Sequence, residues 1–236
     1  MRKTAVHGKK LRGAIHTIIT SNEGSALVEF AICLPIILLL FYGGVEVARY
    51  LLIVKKLQDS ATQVASIITS TDPVKTTLTK SDMDAIATGA FLRTISPYAN
   101  GKNAFVIISD IYADPDATSP GTPTVKWRYC GGEMNLEPRA HKSTLLIASR
   151  FGNVGAPADL SSLSAIDAHT SSAPFTLESG DEIVVAEVFY DFHPIIENSI
   201  TNGVISARRL YFSALSVPRF AHLNGLVGTT FKGNCG

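Results

Sequence analysis

Four kinds of residue in this 236-residue chain could do chemistry: six histidines, a close aspartate pair, three cysteines and one acid inside an apolar run. The histidines (His7, His16, His141, His169, His193 and His222) are scattered, and no two have a metal-ligand spacing such as His-Glu-x-x-His. His193 precedes Pro194 at the end of a strand pattern and reads as a turn or core histidine. Asp114 and Asp116, in "DPDATSPGTPTV", have the spacing of a calcium loop. The sixth position is Ser119 rather than glycine and the twelfth is Val125 rather than a bidentate glutamate, so a solvated acidic turn is expected. No nucleophile elbow, P-loop or paired-glycine fingerprint occurs. Trp127 and Tyr129, two apart on one face of a strand, read as core. The expectation is therefore no catalytic residue, no metal, no cofactor and no enzyme.

Three cysteines are too few for a disulfide scaffold or a zinc cluster. Cys33 sits in the apolar run as a small hydrophobe. Cys130 and Cys235 both fall in the long C-terminal part. If that part is exported they can pair, and closing a loop of about 100 residues contributes up to ~4.7 kcal/mol in the chain-entropy model. Two independent thiols are the alternative.

The acid is Glu29, in "NEGSALVEFAICLP" (22–35). A charged side chain at the centre of a membrane span costs on the order of 2.5–3.5 kcal/mol, and less near an interface. Two readings follow. Glu29 is the interfacial edge of the span, snorkelling to the headgroups; or it acts together with Gly24. A cut after Gly24 would make Ser25 a new N-terminus, with its ammonium one turn from the Glu29 carboxylate. Formed between neighbouring molecules, that ion pair would set the axial stagger of packed helices.

The elements that must carry these residues are legible in outline. Hydrophobic residues make up 46% of the chain and charged ones only 17%, a shortfall that points to a membrane segment or a large buried core. The net charge of +1 argues against a nucleic-acid partner. Basic residues cluster instead in a leader, 1–24, which holds Arg2, Lys3, Lys9, Lys10 and Arg12 against the single acid Glu23. Phe30 to Val45 has no charge and, with its flanks, reaches transmembrane length. A cleaved signal peptide is the rival, but no small-x-small site follows the run. The leader's charge predicts a cytoplasmic N-terminus and one pass.

Leu51, Val54, Leu57, Ala61, Val64 and Ile68 recur every three or four residues, predicting that the helix continues to Ser70 with this stripe as its packing face. Pro35 is expected to kink it, and Pro73 to end it. A second helix is expected over 81–95 with Ser81 as N-cap. Strands are expected over 104–113, 124–130, 143–149, 182–192 and 208–217, with 152–174 as a long surface loop. The fold class is α+β: a long N-terminal helix (25–70), membrane-spanning in its first half, packed against a small antiparallel-sheet head (71–236).

The stretch "EGSALVEFAICLPIILLLFYGGVEVARYLLIVKKLQDSATQVA" resembles the N-terminal segment of TadE-like proteins, pseudopilins of the tight-adherence (Flp-type IV) pilus assembly system. The resemblance rests on Gly24, Val28-Glu29-Phe30, Leu34-Pro35, the leucine-rich run, Gly44, Glu46, Arg49, Leu57, Ala61 and Ala65. It implies a pilin-like fold, prepilin-peptidase cleavage between Gly24 and Ser25, and Glu29 as the assembly carboxylate. The implied partners are the inner membrane, other pilins and the Tad machinery; the head would be periplasmic and the function adhesion and secretion. An uncleaved, membrane-anchored scaffold or binding protein of the same machinery is the alternative.

Overall fold

Leucine, isoleucine, valine and alanine dominate residues 26–48 and an apolar stripe continues to 68, so one helical conformation suits the whole stretch. In a computed structural model, which describes residues 25–72, 78–92, 104–116, 121–132, 148–161, 175–195, 208–219 and 223, this stretch is a single helix, α1, Ser25–Thr69. It runs through Pro35, which has no N–H to return to the preceding turn. Near its end Thr69 Oγ1 donates to the Ala65 carbonyl at 2.9 Å. The chain forms two compact units, Met1–Arg49 and Tyr50–Gly236, that divide inside this helix.

The second unit begins with the last five turns of α1. A short helix, α2 (Lys80–Ile86), follows, and a π-helical segment continues it over Ala87–Leu92. The cap is Thr79 rather than the expected Ser81. Thr79 Oγ1 accepts the Asp82 N–H at 3.3 Å and Asp82 Oδ2 accepts the Thr79 N–H at 2.8 Å, a reciprocal capping box. What favours Thr79 is the residue before it. Leu78 is buried in the same cluster as Met83, the staple arrangement that fixes chain entry, whereas Ser81 as cap would put Lys80 in that place.

Four strands make one antiparallel sheet: β1 (Ala104–Ala113), β2 (Pro123–Gly131), β3 (Glu182–Phe192) and β4 (Arg208–Ser216), in the order β2-β1-β3-β4. Of the strand expected over 143–149, residues 143–147 lie outside the described residues, and Ala148 and Ser149 are not in a strand. A bulge at Asp110/Ile111 shifts the β1–β2 register. β2 is followed by Gly132, whose φ of +99° and a would-be Cβ only 2.6 Å from the Ala104 carbonyl oxygen admit no side chain.

One face of the sheet takes α1. Tyr50 packs edge-to-face on Phe192 of β3 at a 5.3 Å centroid separation, the Arg208 guanidinium sits over the Tyr50 ring at 5.0 Å, and Thr69 Oγ1 lies 2.8 Å from Ser216 Oγ, so β4 runs alongside the helix from Tyr50 to Thr69. Between these ends Ile53, Leu57, Ala61, Val64, Ala65 and Ile68 join Val106, Ile108, Val184, Ala186 and Val188 in the main core. Trp127 and Tyr129 belong to it, as expected from their shared face.

The opposite face is also covered, which the sequence did not suggest. Of the surface loop expected over 152–174, residues 162–174 lie outside the described residues, while 152–161 lie on this face: Leu160, with the preceding Phe151, packs with Ile111, Val125, Ile183 and Val185. Backbone bonds seal this segment to β2, from Val125 N to Ala156 O (3.2 Å), Gly155 N to Val125 O (2.8 Å) and Ala158 N to Pro123 O (2.8 Å). β3 is therefore buried on both sides.

Candidate functional site

The sequence directs attention to the start of α1, where the apolar run holds its acid. Ser25 opens the helix, Gly24 lies outside the described residues, and Glu29 follows one turn in. Every residue from Ala26 to Val45 is exposed, Leu40 and Phe41 by about two-thirds of their surface. A helix apolar all round finds its favourable environment in lipid or against other apolar helices. Among the described residues this is the one helix long and apolar enough to cross a membrane. Glu29 is exposed with the rest and has no ion-pair partner among the described residues. Gly43 and Gly44 leave open space where a Cβ would stand. Glu46 and Arg49 pair across one turn at 3.4 Å, just past the uncharged run.

The expected packing stripe divides on inspection. Leu57, Ala61, Val64 and Ile68 are fully buried, and Val54 packs at the core's margin. Leu51 is 57% exposed; Ile53 takes the core position instead. Residue 51 lies roughly 200° around the helix from residue 53, since each residue turns it by about 100°. The opposite face carries Asp59, Thr62, Gln63, Ser66 and Ile67, which line a shallow groove of about 400 Å³.

Cys130 is disulfide-bonded and Cys33 is a free, exposed thiol; Cys235 lies outside the described residues. Asp114 accepts from Lys126 Nζ at 2.9 Å and from the Asp116 N–H at 3.0 Å, which closes the acidic turn on itself. Among the described residues no three acidic, histidine or cysteine side chains gather as metal ligands. His193 follows β3 directly, half-buried; the other five histidines lie outside the described residues.

A buried polar network on the sheet's second face went unrecognised in the sequence. Arg128 Nε donates to Ser109 Oγ at 2.9 Å and its Nη2 to the Gly152 carbonyl at 2.7 Å. Glu187 Oε1 accepts from the Arg150 amide and the Tyr211 hydroxyl, both at 3.0 Å. The Arg150 guanidinium stacks over the Tyr211 ring at 3.9 Å. Burial raises the Glu187 carboxyl above its ordinary range, against the pull of these donors and of Arg128. Burial lowers Arg128, while Glu187 pulls it back up. The network anchors residues 149–152 to the sheet. The detectable signal was a charged residue inside each of two apolar strands.

Residues 24–66 match the sequence model of a family described as TadE-like protein. The chain is TadE-like over this segment. The match opens at Gly24 and ends three residues short of the end of α1, so it takes in the exposed apolar half and most of the buried stripe. It ties the segment to the Tad pilus machinery. No curated protein and no solved structure matches the chain. The four-stranded sheet lies wholly outside the TadE-like segment.

Proposed function

We propose that this protein is a minor pilin or pseudopilin of a Flp/Tad-type pilus, processed between Gly24 and Ser25 and assembled through its first helix. The observation that carries this reading is Glu29, an acid without an ion-pair partner among the described residues, one turn into an exposed apolar helix and five residues after the glycine at which the TadE-like segment opens. In lipid the carboxylate has a cost and no described partner. Against the free amine of a neighbouring Ser25 it gains an opposite charge where the surroundings screen little. The leader stays cytoplasmic, the helix crosses the inner membrane once, and the head is periplasmic. There Cys130 pairs with Cys235, the remaining cysteine once Cys33 is accounted for as free. Adhesion and secretion follow from the organelle the subunit serves, not from a catalytic centre.

The deciding variant is Glu29→Ala. Membrane insertion is expected to be unchanged or improved, because an acid is removed from the span, and incorporation into pili is expected to fall. Normal piliation with the variant subunit would overturn the assembly role and favour an uncleaved, anchored scaffold.

A further inference from the structure

The end of the sheet where β3 finishes and β4 begins meets α1 at Tyr50. Phe192 of β3 stands directly opposite Arg208 of β4, so both side chains leave the sheet on one face. Both reach Tyr50, Phe192 edge-to-face at 5.3 Å and the Arg208 guanidinium over the ring at 5.0 Å. At that range the negative face of the ring holds a cation in place without neutralising it. Tyr50 is half-buried and Arg208 is exposed.

The charge on Arg208 is not cancelled by its neighbours. Asp191, the nearest acid along β3, stands opposite Arg209 and accepts from it, Nε to Oδ1 at 2.8 Å and Nη2 to Oδ2 at 3.2 Å. Side chains alternate along a strand, so this pair lies on the other face. Among the described residues Arg208 has no ion-pair or hydrogen-bond partner. Its planar fork of N–H donors is open, and that fork grips a phosphate with two parallel bonds.

The position of Tyr50 in α1 decides which phosphate it meets. Apart from Glu29 and Glu46 the helix is apolar from Ala26 to Ala48. A hydrocarbon core ~30 Å thick takes about 20 helical residues, and a headgroup layer of roughly 5–7 Å flanks it. Two residues past that stretch, Tyr50 falls in the headgroup layer, where tyrosine rings are favoured. Leu51 and Leu52 follow, each more than half exposed, and Lys55 is exposed one turn above both. Helical side chains tilt toward the N-terminus, so Lys55 reaches back over the two leucines to the same layer.

We propose that Arg208, seated on Tyr50, and Lys55 form a clamp for the phosphodiester of anionic phospholipid headgroups while the chain is in the membrane. The proposal rests on the single-pass reading given above. A zwitterionic headgroup brings its own cation to the phosphate and gains little from the clamp. An anionic headgroup keeps the attraction of both side chains. Because Arg208 belongs to the sheet and Lys55 to the helix, one lipid bound here ties both to the membrane surface.

Photocrosslinking reads the contact where it forms. Full-length protein is placed in phosphatidylcholine nanodiscs doped with phosphatidylglycerol or phosphatidylcholine carrying a diazirine next to the headgroup. Adducts on peptides bearing Tyr50–Lys55 and Arg208 are expected to be about fivefold or more in excess with phosphatidylglycerol, and Arg208→Gln to lower that excess about fivefold. Arg208→Lys, which keeps the charge, is expected to retain most of it. Arg219 is an exposed cation whose N–H bonds the Thr69 carbonyl. Thr69 is roughly 28 Å along α1 from Tyr50, beyond the ~10 Å Debye length, so Arg219→Gln is expected to leave the excess intact. No excess in the wild type, an excess that survives Arg208→Gln, or one lost equally in Arg219→Gln overturns the proposal. Alkaline carbonate extraction from vesicles separates it from the reading it rests on. Release of the chain overturns both, whereas a chain that stays embedded without the excess overturns the headgroup clamp alone.

Discussion

Truncating Leu57 tests which face of α1 builds the head. Leu57 is fully buried among the sheet residues of the main core, whereas Leu51, one and two-thirds turns earlier, is 57% exposed. Leu57→Ala removes three side-chain carbons. At ~0.8 kcal/mol per buried methylene the transfer loss is about 2.4 kcal/mol, and the residual cavity brings the total to roughly 3–4 kcal/mol. For a unit of this size each kcal/mol moves Tm by ~2–4 °C, so a drop of roughly 6–16 °C is expected. Leu51→Ala is expected to cost less than ~1 kcal/mol in the same experiment, because most of its surface never leaves the solvent or lipid around it. Thermal melts of the two full-length variants in one detergent, followed by near-UV circular dichroism, provide the comparison. Equal losses for the two, or a loss below ~1 kcal/mol for Leu57→Ala, would refute the helix register on which the packing account rests.

Two further outcomes concern the head. Arg128→Ala deletes the bonds to Ser109 and to the Gly152 carbonyl and strips a neighbouring cation from the buried Glu187; a loss of about 3–5 kcal/mol is expected, with faster proteolysis within 148–161, measured by urea denaturation and limited digestion. Cys235→Ser is expected to abolish the mobility difference between reduced and non-reduced protein on a denaturing gel, and Cys33→Ser to leave it intact.

Much of the fold could be read from patterning because its signals are local. β1 and β3 begin and end at the expected residues, since each is a run of branched and aromatic side chains bounded by turn formers. α1 ends within one residue of expectation. The errors arise where local chemistry is ambiguous. Leu51, Leu52 and Ile53 are consecutive and all apolar, so hydrophobicity alone cannot say which of them faces a core. Ser81 and Thr79 each precede an acid by three residues, and only the burial of Leu78 with Met83 separates them. Glu187 and Arg128 look like solvent-facing charges in alternating strands until residues 149–152 close over them. The TadE-like segment was the most legible part, because a glycine, an acid and an apolar run follow one another without help from the fold.

The central claim is that α1 becomes an assembly helix by losing its leader. Intact-mass and N-terminal sequence analysis of the protein recovered from its native membrane, with the prepilin peptidase present, tests it most directly. The account predicts a mature chain that begins at Ser25. A chain that retains Met1 to Gly24 under those conditions would contradict it.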